Sequence, residues 1–337
     1  MDVCKDASDL AHSVVLKIIF ISMIIISTIA IFLEIWVMVK TTNRILVHQN
    51  TRILLIIHQL WLILHCFTRI FAHAYLLVAY QKTYVDQCEY MMFPWECFMI
   101  RAPVSLTSNL NPASILMLAV ERTIATYFSS RYEKFGKSVA VILIIAQMII
   151  GIGSYLYIYI DFKLLDSEKM AYCIATTNAS KVAVMLGFYT ISAFISALIF
   201  PILFYINKAL YLLIFQFHRN KIHINLSHRY QVMENINSLQ TLTPMMAFYS
   251  LFLALYLGAL FAYYALGFKF SLRNAIFLES VQQTPIYALT LPIAIVWTEK
   301  YVRKVVQENR QKAMELKGTE AANHYFSIFQ APARKNA

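Results

Sequence analysis

Seven stretches of the chain are almost continuously apolar, and polar residues gather in the short segments between them. The runs cover 14–39, 53–80, 97–128, 138–160, 181–215, 239–268 and 274–297. Each has roughly 20 residues or more, the length an α-helix needs to cross the hydrocarbon core of a bilayer. The pattern predicts an all-α bundle of seven transmembrane helices. The link 269–273 is brief, so the sixth and seventh runs are the least clearly divided. Beyond them, 298–316 reads as an amphipathic eighth helix on the inner membrane surface. Tyr301, Val302, Val305 and Val306 form one side, while Lys300, Arg303, Lys304 and Arg310 face the headgroups. The expected organisation is a short extracellular N-terminus (1–13), a transmembrane domain (14–298) and a cytoplasmic tail carrying the amphipathic helix (299–337).

Composition agrees with that reading. The chain is 59% hydrophobic and 14% charged, with a mean hydropathy of +0.58. Soluble domains run at about 45–50% apolar and about 25% charged. Only 7 Gly and 8 Pro occur in 337 residues, too few for the many turns of a membrane β-barrel. The first apolar run is too long for the core of a signal peptide and has no small-residue cleavage site, so it reads as a retained signal-anchor helix.

The net charge of +11 lies in loops between apolar runs. It is therefore an orientation signal, and nucleic acid is not an expected partner. The loops after the first, third and fifth runs carry Lys40, Arg44 and Arg52; Arg131, Lys134 and Lys137; and Arg219, Lys221 and Arg229. Acids are few there, chiefly Glu133 and Glu234. Most loop acids lie in the N-terminus and the loops after the second and fourth runs, against Lys163, Lys169, Lys269 and Arg273 on the same side. This places the N-terminus outside and the tail inside.

The third run holds the most informative spacing. Cys97 stands 25 residues before Arg122, about 37 Å along a helix. One helix thus carries a cysteine at one membrane face and the pair Glu121–Arg122 at the other. That is the arrangement of the third helix of a G-protein-coupled receptor. Charges embedded in an apolar helix are costly and mark functional candidates. Glu121 would hold Arg122 sideways until a change in bundle packing frees it for an intracellular partner; the plainer alternative is that Arg122 snorkels to the interface. Cys97 and Cys173 both fall on the oxidising outer face, where a bridge would tether the second outer loop to the third helix; two free thiols are the alternative. Cys4 and Cys88 share that face, and the sequence leaves their pairing open. Cys66 lies within the second run and reads as a packing residue.

Polar residues within the runs define a candidate pocket. His58, His65, Arg69 and His73 form a stripe on the second helix that must face the bundle interior. The histidines stand about two turns apart, too far to share one metal ion, so no metal or other cofactor is expected. Arg69 and His73, nearer the outside, are candidate ligand contacts. So are Arg101, Ser105 and Asn109 on the third helix, Tyr263 on the sixth, and Glu279, Gln282 and Gln283 on the seventh. Polar groups among aromatics are the usual lining of a small-molecule site; ordinary inter-helix hydrogen bonding is the competing reading. Glu279 is the sharpest candidate, because a lone carboxylate there needs a partner such as Arg101 or Arg69. Pro201, Pro244, Pro285 and Pro292 permit kinks that can serve as hinges. Asn178-Ala-Ser is a glycosylation sequon in an outer loop. The sequon at Asn225 lies on the inner side, where it would go unused.

The run 111–136 reads Asn-Pro-Ala-Ser-Ile-Leu-Met-Leu-Ala-Val-Glu-Arg-Thr-Ile-Ala-Thr-Tyr-Phe-Ser-Ser-Arg-Tyr-Glu-Lys-Phe-Gly. It resembles the third helix and second inner loop of the nematode serpentine chemoreceptors of the Sra superfamily, most closely the class alpha/beta group. The tail segment 317–326, Lys-Gly-Thr-Glu-Ala-Ala-Asn-His-Tyr-Phe, is similar to that group's tail. The resemblance implies a receptor for small environmental chemicals or pheromones, displayed at the plasma membrane of sensory cilia and acting through a heterotrimeric G protein. Its Glu-Arg motif falls on Glu121 and Arg122. Rhodopsin-like receptors differ: the sixth run lacks a Cys-Trp-x-Pro element, and Leu291-Pro292-Ile293 stands where those receptors have Asn-Pro-x-x-Tyr.

The expectation is thus a G-protein-coupled chemosensory receptor and not an enzyme. Its expected partners are a small-molecule ligand, a heterotrimeric G protein, the lipid membrane and a receptor oligomer. One alternative is a seven-helix ligand-gated channel subunit of inverted topology. Another, an intramembrane enzyme using the histidines of the second run, would need acids at matching depth in neighbouring helices.

Overall fold

The structure, a computed structural model, describes residues 3–42, 47–129, 131–173, 179–219, 226–265 and 272–314. Its helices are α1 (Val3–His12), α2 (Val14–Lys40), α3 (Gln49–Ala79), α4 (Pro94–Tyr127), α5 (Ser138–Tyr159), α6 (Ala179–Arg219), α7 (Leu226–Ala265), α8 (Leu272–Ser280) and α9 (Thr284–Met314). Stretches of α2, α3, α5, α6 and α7 are long and apolar enough to cross a membrane. At 34 and 31 residues, α4 and α9 have the length but carry more polar residues.

The chain is apolar outside and polar within. On α5 the outward positions are Val141, Ile142, Ile145, Ile149 and Leu156, while Ala140, Gln147, Gly151 and Ser154 are buried. On α2 the buried stripe Leu16, Phe20, Met23, Ser27, Ala30, Glu34 and Val37 steps by four and three residues, one face of a helix. Ile18, Ile21, Ile25, Ile29 and Phe32 are exposed. A soluble protein does not present such a belt to water. In lipid it costs nothing, and the polar side chains are turned into the bundle, away from the hydrocarbon. The chain is a multi-pass membrane protein.

Packing forms a closed ring. Helix α3 lies between α2 and α4, α4 contacts α5, α6 and α7, and α9 closes the circle between α7 and α2. Helix α4 is the central post. At its closest approach to α5, a Cβ on Gly151 would lie 2.5 Å from Leu110 Cδ2 and 3.1 Å from its Cα, so only glycine lets the helices meet there.

Three elements differ from the sequence pattern. The N-terminal segment is not merely a polar arm but a helix. Ala7, Leu10 and Ala11 of α1 are buried in a cluster with Leu16, Phe20, Leu76, Tyr80, Tyr90 and Tyr172, and the disulfide Cys4–Cys88 fastens it. Helix α7 starts at Leu226, thirteen residues before its apolar run, because Val232, Asn235 and Ser238 are buried on one side of this polar stretch. The seventh run is split. Helix α8 ends at Ser280 and α9 begins at Thr284, with Pro285 in the first turn, where its missing N–H is harmless. Helix α9 then runs on to Met314, so the described part of the expected amphipathic helix continues α9. No Gly or Pro interrupts 298–314, and the pairs Glu299–Arg303 and Glu308–Lys304 support the continuation.

Candidate functional site

The disulfide Cys97–Cys173 fixes the loop after α5 to the first turns of α4. Beside it, Met92 and Met170 exchange backbone hydrogen bonds of 3.1 and 2.8 Å. Glu96 accepts the N–H of Phe93 at 3.2 Å and caps the start of α4. Both disulfides therefore lie at one end of the bundle, and the tethered loop turns the buried Tyr172 inward.

Tyr172 meets the Glu279 carboxylate of α8, the centre of a buried charge cluster. Glu279 Oε1 accepts from the Tyr172 hydroxyl at 2.5 Å and pairs with Arg101 Nη2. Its Oε2 faces Arg69 Nη1 at 3.4 Å and His73 Nε2 at 3.2 Å. Arg69 Nη2 also donates to Gln282 Oε1 at 2.7 Å. Burial, then the neighbouring carboxylate, pushes the Tyr172 hydroxyl well above its ordinary pKa, so it stays a neutral donor. His73 stacks on Phe20, with ring centroids 4.8 Å apart.

Arg69, Arg101, Glu279, Tyr172 and Gln282 form the roof of a cavity of about 280 Å³ that descends beside α4 to Asn111 and Pro112. Tyr159, Tyr189, Tyr249, Phe252, Tyr256 and Tyr287 contribute aromatic walls. The expected pocket residues Arg69, Arg101, Ser105, Asn109, Glu279, Gln282 and Gln283 all line it. Ser105 accepts from the Tyr159 hydroxyl at 2.7 Å, and the Asn109 amide donates to the Ser105 carbonyl at 2.7 Å. His73 is not in the lining; it braces Glu279 from behind. The side chain of Tyr263 and the whole of Asn178 lie outside the described residues.

Sequence reasoning missed Tyr172 and Asn111. Tyr172 adjoins Cys173, a neighbourhood that could have marked it once the bridge was expected. Asn111 sits mid-helix before Pro112, and its side-chain N and O are buried without a hydrogen-bond partner. Pro103 and Pro112 lie inside α4 and deprive it of backbone hydrogen bonds; of the two, Pro112 lines the cavity.

The histidines of α3 have separate partners, and His58 and His65 both reach α4. His58 Nδ1 is 2.6 Å from the Ser114 hydroxyl and His58 Nε2 is 3.1 Å from the Tyr287 hydroxyl. His65 Nδ1 is 3.0 Å from Thr107 Oγ1. Among the described residues no His, Cys, Asp or Glu group has the geometry for a metal ion.

At the opposite end of α4, Glu121 and Arg122 are both buried. Glu121 holds the guanidinium through Arg122 Nε at 2.5 Å and through Nη2. It also accepts from Thr51 at 3.1 Å and from the Tyr132 hydroxyl. Burial, then Glu121, pushes the Tyr132 hydroxyl above its usual pKa and keeps it a donor. Asn50 donates to Tyr132 at 3.1 Å and to the Gly136 carbonyl at 2.8 Å, a turn that Gly136 permits at φ 55°. Arg122 Nη1 reaches Asn235 Oδ1 of α7 at 3.4 Å, and Asn235 Nδ2 donates to the Ala125 carbonyl at 3.0 Å. Arg122 is therefore clamped within α4 and tied across to α7, rather than snorkelling outward.

A family model described as serpentine type 7TM GPCR receptor class ab chemoreceptor matches residues 1–333. The chain is also 28% identical over 292 residues to serpentine receptor class alpha/beta-14 of Caenorhabditis elegans, covering 80% of this chain and 70% of that one. With a match over nearly its whole length, the chain belongs to the class alpha/beta family of serpentine chemoreceptors, a family of receptors rather than of enzymes.

Proposed function

We propose that the protein binds a small environmental or pheromone ligand in the cavity beside α4 and passes the signal to a heterotrimeric G protein at the Arg122 end. The observation that carries this reading is the division of labour along α4. A cavity with a few convergent polar groups lies at one end, and a buried arginine clasped by Glu121 and tied to α7 lies at the other. Release of Arg122 from Asn235 would open the space between α4 and α7 to an intracellular partner, a shift between two packings of the same bundle.

In this reading the disulfide end faces outward, since bridges persist in oxidising surroundings, and the basic loops face the cytosol. Residues 1–13 are then extracellular and 299–337 cytoplasmic. The receptor resides in the plasma membrane, at sensory cilia where the family's role requires contact with the environment. The test is Arg122→Ala in transfected cells, scored for surface expression and ligand-evoked nucleotide exchange. Loss of exchange with surface expression kept supports the proposal, and unchanged exchange refutes it. A glycosylation reporter at position 2 tests the orientation separately; an unmodified reporter would favour the inverted, channel-like topology.

A further inference from the structure

The roof of the cavity carries an uncompensated positive charge. Its described lining contains two arginines, Arg69 and Arg101, and one acid, Glu279; it has no lysine, aspartate or histidine. All three charged side chains are buried. A buried charge without a counter-ion is among the most expensive arrangements in a folded protein, so two guanidiniums against one carboxylate leave room for one more negative charge. Glu279 cannot supply it, because its two oxygens already serve Arg101, Tyr172, Arg69 and His73. The donors for a second anion are present. Both guanidiniums line the cavity and each keeps one donor without a partner, its buried Nε, which a turn of the planar fork would present to a carboxylate.

The other acids described at this end are engaged elsewhere or stand apart from the cavity. Asp161 pairs with Lys181 at 2.5 Å, Glu96 caps α4 and Asp86 accepts from the Cys88 N–H. Below the roof the walls turn apolar and aromatic, with Val104, Tyr249 and Phe252 among them. At the floor waits Asn111, both side-chain polar atoms unsatisfied. Arg101 and Asn111 are ten residues apart on one helix, about 15 Å along its axis.

We propose that the cavity selects a small organic acid whose carboxylate docks on Arg69 and Arg101, whose apolar body lies between the aromatic walls, and whose far end offers a polar group to Asn111. The excess of one positive charge matches a monoanion. A cationic amine would add to the excess, and a neutral molecule would leave it standing. This inference rests on the receptor reading for its purpose, but it is a statement about binding and is tested as such.

The experiment uses the full-length protein in lipid nanodiscs. Its probes are straight, branched and aromatic carboxylic acids, each with its methyl ester and the corresponding primary amine, and affinity is read from thermal stabilisation and calorimetry. At least one acid is expected to bind about 100-fold tighter than its own ester, the loss expected when a buried charge-assisted pair is removed. Arg69→Met, which leaves the Arg101–Glu279 pair in place, should abolish the preference for acid over ester. Glu279→Gln, which removes the resident carboxylate, should tighten acid binding. Esters or amines binding as well as acids, or no acid binding from the set, overturns the proposal. Nucleotide exchange on a G protein is measured on the same preparation. Acid binding without exchange sustains this inference and sinks the receptor reading, whereas exchange evoked only by neutral or cationic compounds does the reverse.

Discussion

Glu279→Ala removes the one described acid from a roof that holds two guanidiniums, and the size of its effect can be worked from the geometry. Arg69 lies 3.4 Å from the Glu279 carboxylate, and Arg101 is closer still. Unit charges at 3.4 Å attract by about 5 kcal/mol at an effective dielectric constant of about 20. That gross figure is offset by the cost of desolvating both partners. What remains on deleting one partner of a buried pair is about 3–5 kcal/mol, because the other charge is stranded. The Tyr172 and His73 hydrogen bonds disappear as well, so the upper part of the range applies. At about 2 °C per kcal/mol for a chain of this size, the melting midpoint of purified protein should fall by about 8–10 °C. Arg69→Met is the contrasting variant. It brings the charged trio to neutrality and fills the space with apolar volume, and because Glu279 keeps Arg101 as its partner no buried charge is stranded. Its midpoint should stay within about 2 °C of the parent. If Glu279→Ala melts within that margin, or if Arg69→Met falls as far as Glu279→Ala, then the cluster is not the positively biased assembly described above.

Two further outcomes follow from other contacts. Asn235→Ala deletes a hydrogen bond from Arg122 to α7 and the bonds to the Ala125 carbonyl and Asn207, together about 1–3 kcal/mol. Ligand-free nucleotide exchange should therefore rise about 5- to 150-fold at matched surface expression; exchange at or below the parental level would show that this tie does not hold the resting state. Gly151→Ala, which ordinary helix propensity would make stabilising by about 1 kcal/mol, should instead destabilise by about 1–3 kcal/mol, because the new Cβ collides with Leu110. Combination with Leu110→Ala should recover part of the loss in thermal midpoint, and strict additivity would show that the two sites do not touch.

Features that a single helix carries were readable from the sequence. The apolar runs announce themselves because lipid accepts no backbone outside a helix or closed barrel. The spacing of Cys97 from Arg122 needs only the rise per residue. The clasp of Arg122 by Glu121 follows from adjacency on α4. Features that arise between helices were harder to see. Residues 226–238 look polar by composition, yet Asn235 and Ser238 become interior positions once α6 and α7 pair beside α4. Helix α1 reads as a polar arm, because its buried face is only Ala7, Leu10 and Ala11 and is completed by Tyr80, Tyr90 and Tyr172 from distant segments. The break between α8 and α9 lies in a run that is apolar on both sides, and Thr284-Pro285 is a weak mark of it until Gln282 is seen turned onto Arg69.

The same distinction explains why Glu279 was legible as a candidate while its surroundings were not. A carboxylate in an apolar run demands a cation, and Arg69 and Arg101 were the available ones. That both would converge on it, leaving the roof one charge in excess, depends on α3, α4 and α8 meeting at a single point under a loop held by Cys97–Cys173. From that point two connections run toward Arg122. One is α4 itself, in which Pro103 and the cavity-lining Pro112 interrupt the backbone ladder. The other passes from the break before α9 to Tyr287, through His58 to Ser114, and so back into α4. A ligand that draws Arg101 away from Glu279 acts on both connections at once, since Arg101 belongs to α4 and Glu279 to the segment that leads into α9. The end of the bundle that holds Arg122 would then respond to a change in which two charges are paired, rather than to any displacement along the whole length of a rigid helix.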